Sequence, residues 1–175
     1  VTLYSTRYRL SNDIISTFTR DKIKEKTSSG YWSGIVDLSV KADFDYFVNQ
    51  NYKVKFGGTS IFHYFNPNTT SYHSVESSAA VDTSFGSKKQ KGFENAVYLE
   101  NEISAGTRFF TNIGLRFTGY QTPNRNFFSV EPRFLSTFMI VENTLLKASY
   151  SQMNQYIHLL TGSGPNMQND IWVPV

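Results

Sequence analysis

The sequence predicts an all-β fold of antiparallel, up-and-down strands, and three observations support this prediction. Uncharged and polar residues alternate with a period of two over most of the chain, which is typical of a strand with one apolar and one polar face. Several alternating runs are longer than the usual strand of about five or six residues. Aromatic residues make up 16% of the chain, and they fit the pleated surface of a sheet.

The clearest predicted strand covers residues 32–46. Every second residue from Trp32 to Tyr46 is uncharged. The intervening positions carry the charges Asp37, Lys41, Asp43 and Asp45. Because successive side chains of a strand point to opposite faces, these charges are expected to share one polar face.

The same alternation predicts further strands along the chain, at residues 53–64, 93–103, 108–120, 128–138 and 144–156, with a noisier first strand at 2–18. That makes about seven strands. Their polar faces carry the charges Glu94, Glu100, Glu102, Arg116, Glu131, Arg133 and Lys147. A bulge is expected at Pro132, since a proline removes one donor from the ladder.

The predicted connections alternate between short and long. Short turns fall at 48–51, 104–106 and 141–143, and longer polar loops fall at 20–30, 66–91, 121–126 and after residue 160. Sorted loops of this kind, with aromatic residues near both ends of the strands, are typical of outer-membrane barrels. The chain is therefore predicted to form part of a large transmembrane β-barrel of the bacterial outer membrane, with its polar face toward the lumen. An aromatic-rich β-sandwich and a soluble β-barrel are the alternatives.

The bulk composition limits the other classes of protein. No apolar run approaches the roughly 20 residues of a transmembrane helix, and the mean hydropathy is −0.36, as expected where apolar and polar residues alternate. There is no cysteine and the net charge is only +3, so no disulfide, thiolate metal site or nucleic-acid partner is expected. The histidines are scattered singly, which predicts neither a metal site nor a cofactor. These are His63, His73 and His158.

The chain is expected to be a piece of a longer protein. A sheet that spans a membrane must close on itself, because lipid cannot satisfy unpaired backbone groups. Single-chain bacterial barrels have even numbers of strands, whereas about seven are predicted here. No signal peptide opens the chain, and its end falls inside a predicted outer loop.

Several motifs resemble one family of outer-membrane proteins. The most specific is Leu-Lys-Ala-Ser-Tyr-Ser-Gln-Met-Asn-Gln-Tyr-Ile-His-Leu-Leu at 146–160, followed by Asp-Ile-Trp-Val-Pro at 170–174. Shorter supporting motifs stand at 41–46, 54–58, 98–102, 114–117 and 131–133. From about Phe44 to its end the chain resembles the TonB-dependent receptors of Bacteroidetes, which include the SusC-like transporters and the type with a carboxypeptidase-regulatory-like domain.

The resemblance implies a function for the whole protein. Such receptors form a barrel of about twenty-two strands around an N-terminal plug, and they import bulky nutrients such as glycans, peptides or metal chelates. The implied partners are outer-membrane lipid, TonB acting through a plug segment that this chain does not contain, and a SusD-like surface lipoprotein in SusC-like systems. The cargo is not implied, and the chain covers about a third of such a barrel.

Two sets of residues are candidates for function. The charges of the polar faces are expected to contact the plug or to line the transport path. The long outer loops are expected to bind ligand, with candidates Tyr72, His73, Phe85, His158 and Trp172. No catalytic residue is expected. Two alternatives remain open: a self-contained β-barrel binding or adhesin module, and a hydrolase using Asp43 and Asp45, whose spacing of roughly 6.5–7 Å on one face approaches that of glycosidase carboxylates.

Overall fold

The computed structural model describes residues 1–20, 23–76, 79–86, 88–164 and 167–174, and these residues form ten strands. The strands are β1 (Thr2–Arg20), β2 (Ile23–Asn49), β3 (Tyr52–Glu76), β4 (Ala79–Gly86), β5 (Gln90–Ala105), β6 (Phe109–Gln121), β7 (Asn126–Val141), β8 (Thr144–Ser151), β9 (Ile157–Gly164) and β10 (Met167–Pro174).

The strands form two sheets, and the larger follows the order of the chain. Its eight strands are arranged β1-β2-β3-β5-β6-β7-β8, with β4 paired to β3 beside this series. The strands β9 and β10 form a separate antiparallel pair. The predicted all-β antiparallel fold is confirmed, and each predicted strand corresponds to one strand of the series.

Several predicted loops are strands in the structure, so these predictions were wrong. The strand β2 begins at Ile23 and β3 continues to Glu76, where it pairs with β4. The segment after residue 160 lies largely in the β9–β10 hairpin. Much of the sequence in these stretches is small or polar, as in Thr-Ser-Ser-Gly at 27–30 and Asn-Pro-Asn-Thr-Thr-Ser at 66–71, so the contrast with a period of two is too weak there to reveal the strand. Pairing nevertheless satisfies the backbone donors and acceptors.

The short turns lie where the sequence predicts them. Between β2 and β3 the side-chain oxygen of Asn49 accepts a hydrogen bond from the backbone N–H of Asn51, at 2.8 Å. Between β5 and β6 the chain turns at Gly106, whose φ of 62° lies in the left-handed region that a glycine adopts without steric cost. The connection from β6 to β7, which the sequence predicts among the longer loops, spans only residues 122–125 and is closed by hydrogen bonds between Thr122 and Arg125.

The expected bulge at Pro132 is absent. The pairing of β6 with β7 runs through this residue without a shift, and the irregularity lies instead between Met139 and Val141, opposite β8. The Pro132 carbonyl accepts a hydrogen bond from the backbone N–H of Gln152 (3.1 Å). The N and C=O of one strand residue point to the same side, so the missing donor of Pro132 faces the side on which β8 has already ended at Ser151. The proline therefore lacks only the N–H that would bond back to Gln152, and this loss falls at the end of the β7–β8 ladder rather than inside it.

The residues divide into two compact units, each described here by itself. Unit 1 comprises Val1–Ser5, Leu38–Phe62 and Gly92–Tyr156, and unit 2 comprises Thr6–Asp37, His63–Lys91 and Ile157–Val175.

In unit 1 the sheet buries polar positions and exposes apolar ones. Thr118 and Glu131 are only 2% and 3% exposed, whereas Val97, Leu115 and Leu146 are 60%, 52% and 60% exposed. The register places the two buried residues on one face and the three exposed ones on the other. This is the reverse of a water-soluble domain, in which large apolar side chains are usually buried.

In unit 2 most of the buried side chains also occupy alternate positions of their strands; Asn66, 6% exposed and next to Phe65, is an exception. Tyr31 and Ile35 of β2 are 2% and 7% exposed, and Phe65 of β3 is fully buried. Trp32 and Tyr64, on the alternating positions, are partly exposed. The two faces of these strands therefore differ in burial.

Candidate functional site

The polar face of unit 1 gathers the charged residues that the sequence placed on separate strands. The pairing puts Glu94, Glu100 and Glu102 of β5 opposite residues of β6 that share a face with Arg116. It also puts Arg116 opposite Glu131, and it places Arg133 and Lys147 on the same face. These seven predicted charges thus lie on one side of the sheet.

One cluster of this face links β2 to β5. The hydroxyl of Tyr98 donates a hydrogen bond to Asp43 (2.6 Å), and the Lys41 ammonium lies 3.0 Å from the other carboxylate oxygen. Asp45 is exposed. The Asp43 carboxylate is therefore already paired, which does not favour its use with Asp45 as a glycosidase-like pair.

Tyr98 reaches Asp43 by passing over a glycine of β3, the strand between them. A Cβ added at Gly57 would lie 2.9 Å from the Tyr98 ring and in close contact with the Ala42 carbonyl oxygen. The pair Gly57-Gly58 therefore marks a point where neighbouring groups pack closely against the backbone of β3. Close packing is one of the two roles that glycine has in a strand, and the other is a bend. The bond from Tyr98 to Asp43 could not be read from the sequence, because the two residues are 55 positions apart.

We expect Gly57→Ala to destabilise the sheet by about 1–3 kcal/mol, because the new methyl group would press on the Ala42 carbonyl oxygen and must displace the Tyr98 ring. Gly58→Ala is the matched control, since its Cβ would meet the Ala96 carbonyl oxygen at 3.2 Å and no ring. The measurement is the fraction of full-length protein that migrates as the folded species on a cold detergent gel after graded heating. Equal losses for the two variants would contradict the role given to Gly57.

A second cluster surrounds Glu102 near the short turns. The ammonium groups of Lys53 and Lys55 lie 2.6 Å and 2.5 Å from its two carboxylate oxygens. The Glu102 side chain is 17% exposed. Two cations on one mostly buried carboxylate leave a net positive charge at this point of the face.

A third cluster joins β5, β6 and β7. Arg133 lies 3.8 Å from Glu100 and 3.9 Å from Glu131, and Arg116 lies 4.0 Å from Glu131. Asn112 donates a hydrogen bond to Glu100 (3.4 Å). These groups alternate in charge along the face, so each carboxylate faces a guanidinium.

Residues 152–156, here called the return segment, leave the end of β8 and fold onto this face. The backbone N–H of Asn154 donates a hydrogen bond to the buried carboxylate of Glu131 (3.1 Å), and its side-chain amide donates to Ser129. The hydroxyl groups of Tyr156 and Thr118 lie 2.7 Å apart. The Tyr156 ring stacks on Tyr120 at 5.4 Å with an interplanar angle of 8°.

The sequence predicted a strand up to residue 156, and this was wrong because β8 ends at Ser151. The signal that could have shown it is the polar run Gln-Met-Asn-Gln at 152–155, which has no alternation of charged and apolar residues. The contacts of the return segment with Glu131 and Tyr120 carry no signal in the sequence.

In unit 2 the predicted charge Asp37 pairs with a buried histidine. Its carboxylate lies 2.9 Å from Nδ1 of His63, which is 4% exposed and stacks on Phe65. The hydroxyl of Thr6 donates a weaker hydrogen bond to the same carboxylate, at 3.4 Å. Asp37 therefore contacts β1 and β3 at the polar positions of β2.

The predicted outer-loop ligand residues do not come together among the described residues. Tyr72 and His73 are consecutive, exposed residues of β3, so their side chains point to opposite faces of the β3–β4 hairpin. His158 is exposed on β9. The side chains of Phe85 and Trp172 lie outside the described part of the structure.

Over the ranges described above, no group of three or more acidic or histidine side chains could hold a metal ion. Within the same ranges, no helix has the length and apolarity needed to cross a membrane.

Comparison with known proteins identifies the family. The sequence model of the family described as TonB dependent receptor-like, beta-barrel matches residues 2–170. No curated protein and no solved structure matches the chain. The match includes the first forty residues, where the motifs resemble the family only loosely. The family match agrees with a sheet that exposes its apolar face and pairs charges on the other face. The match also covers nearly the whole sequence. The chain therefore belongs to the TonB-dependent receptor β-barrel family, whose members are outer-membrane transporters rather than enzymes.

Proposed function

We propose that this chain forms part of the barrel wall of an outer-membrane active transporter that imports a bulky nutrient, namely a glycan, a peptide or a metal chelate. The observation that carries the proposal is the opposite character of the two faces of the sheet. The uncharged face is open, while the other face holds paired charges.

The exposed apolar face is physically reasonable only against a nonaqueous partner. Leu38, Val97 and Leu115 are each about half exposed or more (56%, 60% and 52%), and Ala148 is exposed as well. Contiguous apolar patches beyond a few hundred Å² are rare on monomeric soluble proteins, and each 100 Å² removed from water contributes roughly 2.5 kcal/mol. Acyl chains of a bilayer supply such a partner along every strand.

The paired charges of the opposite face suit a hydrated lumen. We propose that these charged side chains contact a plug domain or line the transport path. They are Asp37, Lys41, Asp43, Asp45, Glu94, Glu100, Glu102, Arg116, Glu131, Arg133 and Lys147. The exposed pair of Lys41 and Asp43, with side chains 44% and 43% exposed, can exchange one partner for a plug side chain at little cost, because exposed ion pairs contribute only about 0–1 kcal/mol.

The complete receptor is proposed to contain a plug that engages TonB and further barrel strands beyond this chain. The motif at 146–160 supports placing the complete receptor with the SusC-like receptors of Bacteroidetes. A SusD-like surface lipoprotein is then its proposed partner, on the side of the β3–β4 and β9–β10 hairpins. The outer-loop residues Tyr72, His73 and His158 are proposed to face that side.

The test uses the full-length gene product in its native membrane. We expect it in the outer-membrane fraction, with migration on a gel that changes on heating, and we expect its deletion to remove TonB-dependent uptake of one member of a panel of glycans, peptides and metal chelates. A protein found wholly in the soluble fraction would overturn the proposal. A membrane protein that binds surfaces but supports no TonB-dependent uptake would favour the adhesin module instead.

A further inference from the structure

A cluster of basic and aromatic residues lies together in unit 2, and we call it the basic–aromatic cluster. It consists of Arg7, Arg9, Trp32, Tyr64 and Lys89, which together line a hollow of about 120 Å³. The Arg9 guanidinium lies 5.1 Å from the centre of the Trp32 ring, and the Lys89 ammonium lies 5.8 Å from the centre of the Tyr64 ring. Both distances are within the range of cation–π contact.

The cluster occupies the face opposite the buried side chains of unit 2. Trp32 stands next to Tyr31 and Ser33, which are 2% and 0% exposed, and Tyr64 stands next to the fully buried Phe65. Because neighbouring residues of a strand point to opposite faces, the two rings lie on the outward face. This is the face on which the alternation places uncharged residues further along β2 and β3.

The cationic groups of the cluster are available to an anion. Arg7, Arg9 and Lys89 are exposed, and the ion pairs found among the described residues do not include them. The nearby carboxylate of Asp37 bonds to His63 and Thr6 at positions of the other face. Three positive charges thus surround one hollow.

The sequence of the outward positions indicates the depth of the cluster in the membrane. Along β1 these positions read Leu3, Ser5, Arg7 and Arg9, so the outward face changes from uncharged to basic in one step. Charged residues on the lipid face are costly at the bilayer midplane and nearly neutral at its interfaces. Tryptophan and tyrosine rings concentrate at the same level. We therefore place the cluster at the height of the lipid headgroups, on the side of the β3–β4 hairpin.

We propose that the basic–aromatic cluster is a binding site for the phosphorylated headgroup of an anionic lipid of the outer leaflet. The two guanidinium groups can each bind a phosphate through paired N–H donors, and the rings of Trp32 and Tyr64 pack against the neck of the lipid. The inference rests on the proposed function to the extent that β1, β2 and β3 must cross a bilayer. It adds a specific lipid partner that transport itself does not require.

The test measures lipid binding by the purified full-length receptor in a neutral detergent, using native mass spectrometry. The probe is bisphosphorylated lipid A, with dephosphorylated lipid A and inorganic phosphate as comparison ligands. We expect Arg7→Gln combined with Arg9→Gln to weaken binding of the bisphosphorylated lipid roughly tenfold, given the contribution of each basic residue near a charged membrane surface. The matched control, Arg108→Gln combined with Arg125→Gln, removes the same charge from two exposed arginines outside the strands and is expected to change binding less than twofold.

Lys89→Gln and Lys88→Gln form a second pair of variants, which test the site if the protein with Arg7→Gln and Arg9→Gln does not fold. Lys89 lies between strands β4 and β5, so Lys89→Gln disturbs no ladder and is expected to weaken binding about threefold to fivefold. Its neighbour Lys88 does not line the hollow, and Lys88→Gln is expected to leave binding unchanged. Equal affinity of wild type and variants, or equal losses in the controls, would overturn the site.

The comparison ligands separate the possible sources of phosphate. If dephosphorylated lipid A binds as tightly as the bisphosphorylated form, the acyl chains alone are recognised. If inorganic phosphate alone binds tightly, the cluster is a site for a soluble anion. Either result rejects the proposal. The same preparations report the proposed function independently. A receptor that fractionates with the outer membrane but shows no preference for the phosphorylated lipid disproves only this site.

Discussion

Leu115→Arg is expected to destabilise the folded barrel wall by about 2–4 kcal/mol, whereas Leu135→Arg is expected to cost less than about 1 kcal/mol. Both residues are half-exposed leucines of neighbouring strands, at 52% and 38%, so the two changes are chemically identical. They differ in face. Leu115 pairs with Leu99 and Pro132 on the uncharged face, and Leu135 pairs with Asn112 and Ser149 on the polar face.

The two variants are expected to differ in stability because the new guanidinium group has different surroundings on the two faces. On the uncharged face the group would enter the hydrocarbon, where its hydration is lost and no partner is present. On the polar face, which we propose to be hydrated, it would lie opposite Asn112, which bonds to Glu100, so water and a carboxylate are available to it.

The measurement is the amount of full-length receptor in the outer membrane, together with the temperature at which its folded band disappears on a gel. We expect Leu115→Arg to lower both and Leu135→Arg to leave both near the wild-type values. If the two variants behave alike, the two faces do not differ in their surroundings, and the assignment of one to lipid is wrong.

The assignment of faces could be predicted from the sequence because it depends on strand geometry alone. Side chains alternate with a period of two whatever the partners of a strand are, so the charges from Asp37 to Asp45 had to share a face. The alternation also predicted where the long central strands lie, since one face of each is uncharged. The same reasoning fails where alternate positions differ little in polarity, as in the outer half of β3, for which the sequence predicts a loop.

The connections within the polar face could not be predicted, because they depend on the register between strands. Glu131 and Arg116 are directly opposite in the β6–β7 pairing, but a shift of one residue would have placed Glu131 on the other face. The bond from Tyr98 to Asp43 further requires a glycine on the strand between them. Register is fixed by all the pairs of a ladder together, so no local pattern reveals it.

The return segment is the feature of the candidate site that departs most from the sequence prediction. A strand was expected to continue to residue 156, yet the chain turns onto the polar face and covers part of it. The backbone of the return segment supplies a donor to Glu131, and its last residue buries a ring against Tyr120. Glu131 thus holds together two guanidinium groups and a segment that follows it by more than twenty residues.

Glu131→Ala is therefore expected to release the return segment and to destabilise the protein by about 2–3 kcal/mol. The change removes a charge-assisted hydrogen bond to the backbone N–H of Asn154, worth about 1.5–3 kcal/mol, and it leaves Arg116 and Arg133 with one carboxylate neighbour fewer. The effect stays below the 3–5 kcal/mol of a fully buried broken pair, because the two arginine side chains are 29% and 35% exposed and water can reach part of each guanidinium, although both Nε atoms are buried.

Hydrogen exchange of the backbone amides distinguishes this role from a general loss of charge. In Glu131→Ala we expect the amides of the return segment to lose protection first, while those of β6 and β7 stay protected. In Glu131→Gln, which keeps an acceptor oxygen, we expect a smaller change. The control is Glu142→Ala, in the exposed turn between β7 and β8, which should alter neither the exchange of the return segment nor the stability. Protection of the Asn154 amide that survives Glu131→Ala would mean that the packing of Tyr156 on Tyr120 holds the return segment without the carboxylate.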